Sequence, residues 1–346
     1  MAWQAGIVDK VQANQVLELF LESFGHPMSL EHWHWKYLQQ HSLAEQSPSF
    51  SIGVWGRRGN LIGHAGALIF AGWQPTRTVS KGSSKHRPTE IVGRPRWMIQ
   101  IVDVMVKPSV RGPRQGGLIY QILMERLKAH LIEQFPGALV YGFPGLRPFR
   151  LGERLGFYQH LQSYHLVPLQ ISGAVGSGFA GLMLEPIGWL SGIHEVSDWW
   201  CESVRYHDVP MVIRDKHYLG WRFKDHPSVS YQLWRVKKRM PWWRQTIGWL
   251  VTCPWQGNSH ALVDFIFRDG SRHPSTKQEC LNALAQKIGR SRRLYAWDVP
   301  QVSVGNVVVA MSFKLAPQSG EQQLLFPGAE VPRDRLLFLP ADTDVF

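Results

Sequence analysis

The sequence predicts an α/β protein made of two successive, similar halves. Three observations carry this. Strand-like and helix-like patterns alternate along the 346-residue chain. A series of short matches recurs in the same order in the second half. Hydrophobic residues make up 44% and charged residues 18%, a balance that suits folded cores and excludes a disordered chain. The length is that of two domains at roughly 100–200 residues each.

The elements of the first half follow from local pattern. Val16, Leu19, Phe20 and Phe24 share one helical face, which predicts a helix over residues 12–24. A short second helix is expected at 30–39. Ser47-Pro48-Ser49 signals a turn, and 50–55 reads as the strand after it. Gly56-Arg57-Arg58-Gly59-Asn60 then reads as a hairpin turn into a strand at 61–70. The basic, polar stretch 76–96 reads as an exposed loop. Residues 97–106 are almost continuously apolar, as in a strand buried on both faces. Leu118, Ile119, Ile122, Leu123, Leu127 and Leu131 mark a long helix. A strand at 138–143 and a short helix at 149–155 complete the half.

The repeat is collinear. Trp35-Lys36-Tyr37 matches Trp221-Arg222-Phe223, and Ile62-Gly63-His64 matches Ile247-Gly248-Trp249. Val102-Asp103-Val104 matches Val263-Asp264-Phe265, and Gly156-Phe157 matches Ser312-Phe313. The glycine-rich stretch between the halves sets the expected organisation: a domain over 1–170, a linker over 171–192, and a second domain over 193–346. Trp33, Trp35, Trp199, Trp200, Trp242 and Trp243 are expected to pack the halves together.

The net charge of +12 favours anionic partners without choosing among them. The three cysteines have neither disulfide-framework nor metal-ligand spacing, so no metal site is expected and a reducing, cytoplasmic setting fits. No window offers the ~20 apolar residues that a membrane span needs.

Chemistry concentrates at Val104-Met105-Val106-Lys107-Pro108-Ser109-Val110-Arg111-Gly112-Pro113-Arg114-Gln115-Gly116-Gly117-Leu118. A buried strand ends, and a loop rich in glycine and arginine opens a helix. The first N–H groups of a helix lack internal partners, and its dipole favours negative charge. Loop amides can curl around the same anion, while Arg111 and Arg114 add charge-assisted hydrogen bonds. This pattern suits a diphosphate.

On Val106, Pro108, Arg111, Gly112 and Gly116 the stretch resembles the signature of the GNAT superfamily of N-acyltransferases, with Arg114 standing where that family usually has glycine. Arg154-Leu155-Gly156-Phe157-Tyr158 is similar to the end of that family's next helix. The resemblance covers residues 5–165 and reaches the second half only through the repeat. It implies two tandem GNAT-like domains, each a mixed, mostly antiparallel twisted sheet flanked by helices. It implies acetyl-CoA, or another acyl-CoA, held by Val104, Met105 and Val106 along the strand and by residues 111–117 at the loop: Arg111, Gly112, Pro113, Arg114, Gln115, Gly116 and Gly117. The second half has Arg268-Asp269-Gly270 where the loop should be, so only the first half is expected to bind the thioester.

The implied reaction is direct attack of an acceptor amine on the thioester, which needs a proton acceptor. Asp103, inside the central strand, is the first candidate, although Asp264 at the matching place argues for a structural role in both halves. His64 is the second. The Tyr that often protonates the leaving thiolate falls here at Gly152, leaving Tyr141 and Tyr158 as substitutes. The acceptor is expected to be a small-molecule or carbohydrate-linked amine. Two alternatives stand beside this reading. One is a Fem-like aminoacyl transferase drawing on aminoacyl-tRNA. The other is a non-catalytic binding module, for which nucleic acid is a disfavoured partner; basic and aromatic residues interleave over 234–244 in a way that could stack bases.

Overall fold

A computed structural model describes residues 3–39, 49–79, 90–112, 115–168, 182–203, 210–239, 242–267, 279–280, 283–284, 287–288, 294–298 and 307–313. The chain divides into two compact units. The first comprises Met1–Gly72, Arg96–Gln162 and Val308–Arg335; the second comprises Trp73–Pro95, Ser163–Val307 and Leu336–Phe346.

In the first half of the chain, β1 (Gln4–Ile7) leads into α1 (Ala13–Phe24) and α2 (Leu30–Tyr37). The helix α1 buries Val16, Leu19 and Phe20 and stops at Gly25, whose φ of 77° only glycine adopts cheaply. Ser29 caps α2 by accepting from the His32 amide. Then come β2 (Phe50–Trp55), β3 (Leu61–Val79), β4 (Glu90–Val106), α3 (Gln115–Gln134), β5 (Leu139–Gly142), α4 (Leu146–Arg154) and β6 (Tyr158–Pro168). The sheet of the first unit begins β1-β2-β3-β4-β5. The helix α3 lays Ile119, Leu123, Leu127 and Leu131 against Ile52, Val54, Ile99, Ile101 and Val140 to make the core.

The second half contributes β7 (Leu182–Ile187), α5 (Trp189–Ser203), β8 (Met211–Val212), α6 (Lys216–Leu219), β9 (Gln232–Arg239), β10 (Arg244–Trp255), β11 (Ser259–Phe267) and β12 (Leu294–Asp298). The last described strand, β13 (Val307–Phe313), belongs to the first unit. It pairs antiparallel with β5, Met311 opposite Gly142. Conversely, the end of β6 pairs antiparallel with β12 in the second unit, Pro168 opposite Tyr295. Each unit therefore finishes its sheet with the last strand of the other half of the sequence. The second sheet runs β6-β12-β11-β10-β9-β7. In both, one parallel pair (β4–β5, β11–β12) sits beside antiparallel neighbours. These are two mixed, mostly antiparallel sheets flanked by helices, the architecture that the resemblance implied.

Three expectations change. Within 76–96, residues 76–79 and 90–96 are strand and not loop, since β3 runs on to Val79 and β4 starts at Glu90; residues 80–89 lie outside the described residues. Arg77, Arg94 and Arg96 drew attention from the β-branched Thr76, Thr78, Val79, Ile91 and Val92 there, and Gly93 leaves the space that the Trp73 ring fills. The stretch 171–192 is not all connector, because β7 and the start of α5 lie in it. Trp242 and Trp243 do not pack: they are 95% and 61% exposed, whereas Trp33, Trp35 and Trp200 are buried. Among the described residues no helix is long and apolar enough to cross a membrane, and no group of His, Cys, Asp and Glu is placed to hold a metal ion.

Because β13 completes the first sheet, Met311→Pro, which adds a rigid ring and removes a ladder donor, is expected to cost about 2–3 kcal/mol. Urea denaturation of the full chain checks this; an unchanged midpoint would contradict the exchanged pairing.

Candidate active site

The parallel pairing of β4 with β5 runs from Met98 opposite Leu139 to Ile101 opposite Gly142. There β5 ends, while β4 continues to Val106. On the other side β4 stays bound, the Lys107 amide donating to Ile62 O at 2.8 Å. Since backbone groups alternate along a strand, those of Met105 face β3, and those of Val104 and Val106 face the edge that β5 has left.

Asp103 shifts that alternation. Ile99 and Ile101 pack into the α3 core, and so do Val104 and Val106, a change from odd to even positions. At the change, Asp103 has φ 49°, a left-handed conformation rare outside glycine. This is the behaviour of a β-bulge, which re-aims the residues after it. It turns the Asp103 side chain to the opposite face, towards α2. There its Oδ1 accepts from Lys36 Nζ at 2.9 Å and its Oδ2 from the Tyr37 hydroxyl at 2.6 Å. Gly66 on β3 leaves the room in which that hydroxyl sits. Both partners of the ion pair are almost fully buried.

Burial alone would raise the Asp103 pKa. The Lys36 charge and the hydrogen bonds from Tyr37 and Lys36 outweigh it and hold the carboxyl below its ordinary value. A carboxylate so held is a poor proton acceptor near neutrality, and this arrangement suits the structural role. The second unit has a counterpart: buried Asp264 accepts from Arg214 Nε at 2.7 Å. Arg222, the residue that matches Lys36, donates to the Tyr231 hydroxyl.

His64 lies on β3 beside this pair, fully buried. Its Nδ1 meets Asp103 O at 2.9 Å. A carbonyl only accepts, so Nδ1 carries the proton and Nε2 is left with a lone pair. Nε2 has no hydrogen-bond partner among the described residues. Burial lowers the His64 pKa more than contact with Asp103 raises it, so the ring stays neutral.

The tyrosines lie elsewhere. Tyr141 is buried on β5, its ring edge-on to Phe143. Tyr158 is buried in the α3 core with Tyr120, whose pKa burial pushes up to about 12. The Tyr158 ring covers the space that a side chain at Gly152 would take. That explains why no tyrosine stands at position 152. Sequence reading missed Lys36 and Tyr37 as partners of Asp103, although Trp35-Lys36-Tyr37 opened the internal repeat.

Beyond β4, a single 3-10 turn (Pro108–Val110) carries the chain to the start of α3. The Gly116 amide closes on Gly112 O at 3.0 Å. A Cβ on Gly116 would strike the Arg111 backbone at 2.7 Å, so the loop passes too close for any other residue. Gly112 and Gly117 instead face open space, with nothing within 4 Å of an added Cβ. A ligand can therefore reach the backbone of the loop and of the first turn of α3, where N–H groups lack helical partners. Arg111 folds back, its Nε donating to Val106 O at 2.7 Å. Gln115 is exposed at the helix start. Pro113 and Arg114, and the second-half segment 268–278, lie outside the described residues.

No protein-family model and no curated protein matches the chain. Solved structures do match it in fold. A GCN5-related N-acetyltransferase from Anabaena variabilis aligns at TM-score 0.58 and 12% identity, over 90% of this chain and 72% of that one. One from Kribbella flavida aligns at 0.56 and 14%, over 90% and 70%. A tandem GNAT protein from the clavulanic acid biosynthesis pathway aligns at 0.57 and 10%, over 92% of this chain and 100% of that one. At such identities the likeness is one of fold, and the fold is that of tandem GNAT domains.

Asp103→Asn removes the charge that faces buried Lys36 and is expected to cost about 3–5 kcal/mol, while Lys36→Met with Asp103→Leu costs less than Lys36→Met and Asp103→Leu added. Urea denaturation of the unaltered chain, the three single variants and the double variant checks this. The carboxyl's folded pKa lies below its usual 3.8, so its stabilisation is complete above that pH and is lost as the pH falls through the folded value.

Proposed function

We propose that the chain is an acyl-CoA-dependent N-acyltransferase whose first unit carries the active site. One observation supports this above the others: the β4 edge that β5 leaves free ends at a loop and helix start whose backbone is open at Gly112 and Gly117. These residues fit an extended pantetheine arm ending in a diphosphate. Val104 and Val106 would hold the arm by backbone hydrogen bonds, as one strand holds another. For that, Arg111 releases Val106 O, and its guanidinium becomes available to a phosphate. Gly117 and the amides after it hold the diphosphate, helped by the α3 dipole. Acetyl-CoA, or another acyl-CoA, supplies an acyl group already activated as a thioester.

The protein's part is orientation and proton handling. The bulge at Asp103 sets the direction of the amides that follow it, and one of these polarises the acyl carbonyl. His64 Nε2, neutral and unpaired, accepts the proton of the acceptor ammonium through a water. No tyrosine acid is required, because a thiol with a free pKa of about 8.5 is a good leaving group. The acceptor is a small-molecule or carbohydrate-linked amine. The Fem-like alternative has no use for the diphosphate loop.

Titration calorimetry with acetyl-CoA, followed by an amine-library assay of released thiol, tests the reading. Gly117→Glu places a carboxylate in open space at the helix start; folding should be unchanged, and acetyl-CoA binding should weaken about a hundredfold or more. Equal affinity would refute the loop assignment. His64→Asn keeps a donor for Asp103 O but removes Nε2. Its kcat is expected to drop about a hundredfold or more at unchanged acetyl-CoA affinity. In the unaltered enzyme kcat falls only as the pH drops through a value below 6.5. A His64→Asn variant with full kcat would exclude this residue as the acceptor.

A further inference from the structure

The hairpin that joins β9 to β10 ends in an unusual surface. Arg239 stands opposite Arg244, Lys238 opposite Gln245 and Lys237 opposite Thr246, so the ladder runs to the very end. In sequence that end reads Lys237-Lys238-Arg239-Met240-Pro241-Trp242-Trp243-Arg244. Trp242 is 95% exposed and Trp243 61%, whereas Trp249, further along the same strand, is fully buried. On the neighbouring β7, Met183, in register with Lys237, is also exposed. Two adjacent indoles in water are a standing cost that folding has not removed.

The charges nearest the indoles are basic, and acidic partners engage only those further back. Lys237 is engaged by Glu185, and Arg235 by Glu185 and Glu195. Lys238 and Arg244 are exposed and make no ion pair among the described residues. The outermost residues are thus apolar and aromatic, with a basic collar behind them. A bilayer surface has the complementary layering. Tryptophan settles at the boundary between headgroups and acyl chains, and lysine and arginine bind the phosphates above it. A nucleic acid would present its phosphates to the indoles first.

We propose that this hairpin docks the protein on anionic phospholipid membranes, Trp242 and Trp243 entering the interface while Lys238 and Arg244 contact the lipid phosphates. The proposal is independent of the acyltransferase reading, since the hairpin lies in the second unit.

The test is co-sedimentation of the full chain with phosphatidylcholine vesicles, with and without phosphatidylserine, alongside quenching of tryptophan emission by brominated lipid. Binding is expected to the anionic vesicles, to weaken with salt, and to show quenching. Lys238→Ala with Arg244→Ala should weaken it about thirtyfold. Trp242→Ala with Trp243→Ala should abolish the quenching, with the urea midpoint unchanged. Absence of vesicle binding at low salt would overturn the proposal, and so would binding that the indole variant retains in full. Tip-dependent binding of single-stranded RNA without vesicle binding would overturn it in favour of a nucleic-acid partner.

Discussion

A carboxylate placed inside a strand that is buried on both faces must be answered by a charge, and the answer given to Asp103 organises the first unit. Lys36 and Tyr37 come from α2, which Ser29 caps and Trp33 and Trp35 anchor. To reach them Asp103 takes a left-handed conformation, and the strand after it changes parity. That change sends Val104 and Val106 into the α3 core and turns their backbone groups to the free edge. His64 reads the same kink through the Asp103 carbonyl. Helix, bulge, edge and imidazole are therefore one assembly. Its ion pair adds little to stability compared with an apolar pair of similar shape; it specifies a backbone path that an apolar residue would not require.

Much of this could be read in the sequence. The strand at 50–55 matches β2 residue for residue, and the strand, loop and helix around 97–134 follow from an apolar run, glycines and a helical stripe. The bulge was not legible, because a run apolar on both faces gives no alternation in which a parity change would show. The length of β3 and β4 was hidden for a different reason. Lysines and arginines along 76–96 suggested solvent, yet a strand tolerates such residues at its exposed positions.

The exchange of last strands lay beyond sequence reading for a reason of symmetry. The strands β6 and β13 each follow the parallel pair of their own half, so by place in the chain either could finish either sheet. Local preference cannot distinguish the two pairings. What distinguishes them is the connection: β6 pairs with β12 and β13 with β5, a choice made only when the whole chain is present.

That choice has a consequence for biosynthesis. The edge of β5 is complete by residue 142, but the strand that covers it ends at residue 313. At ribosomal speeds of roughly 5–20 residues per second the edge waits about 10–30 s for its cover. Throughout that interval the nascent protein carries an open ladder facing the crowded exit of the ribosome, the kind of edge that pairs with strangers. The exchange thus makes emergence of the C-terminal strand the event that ends this exposure, and any delay in translating the second half prolongs the hazard to the first.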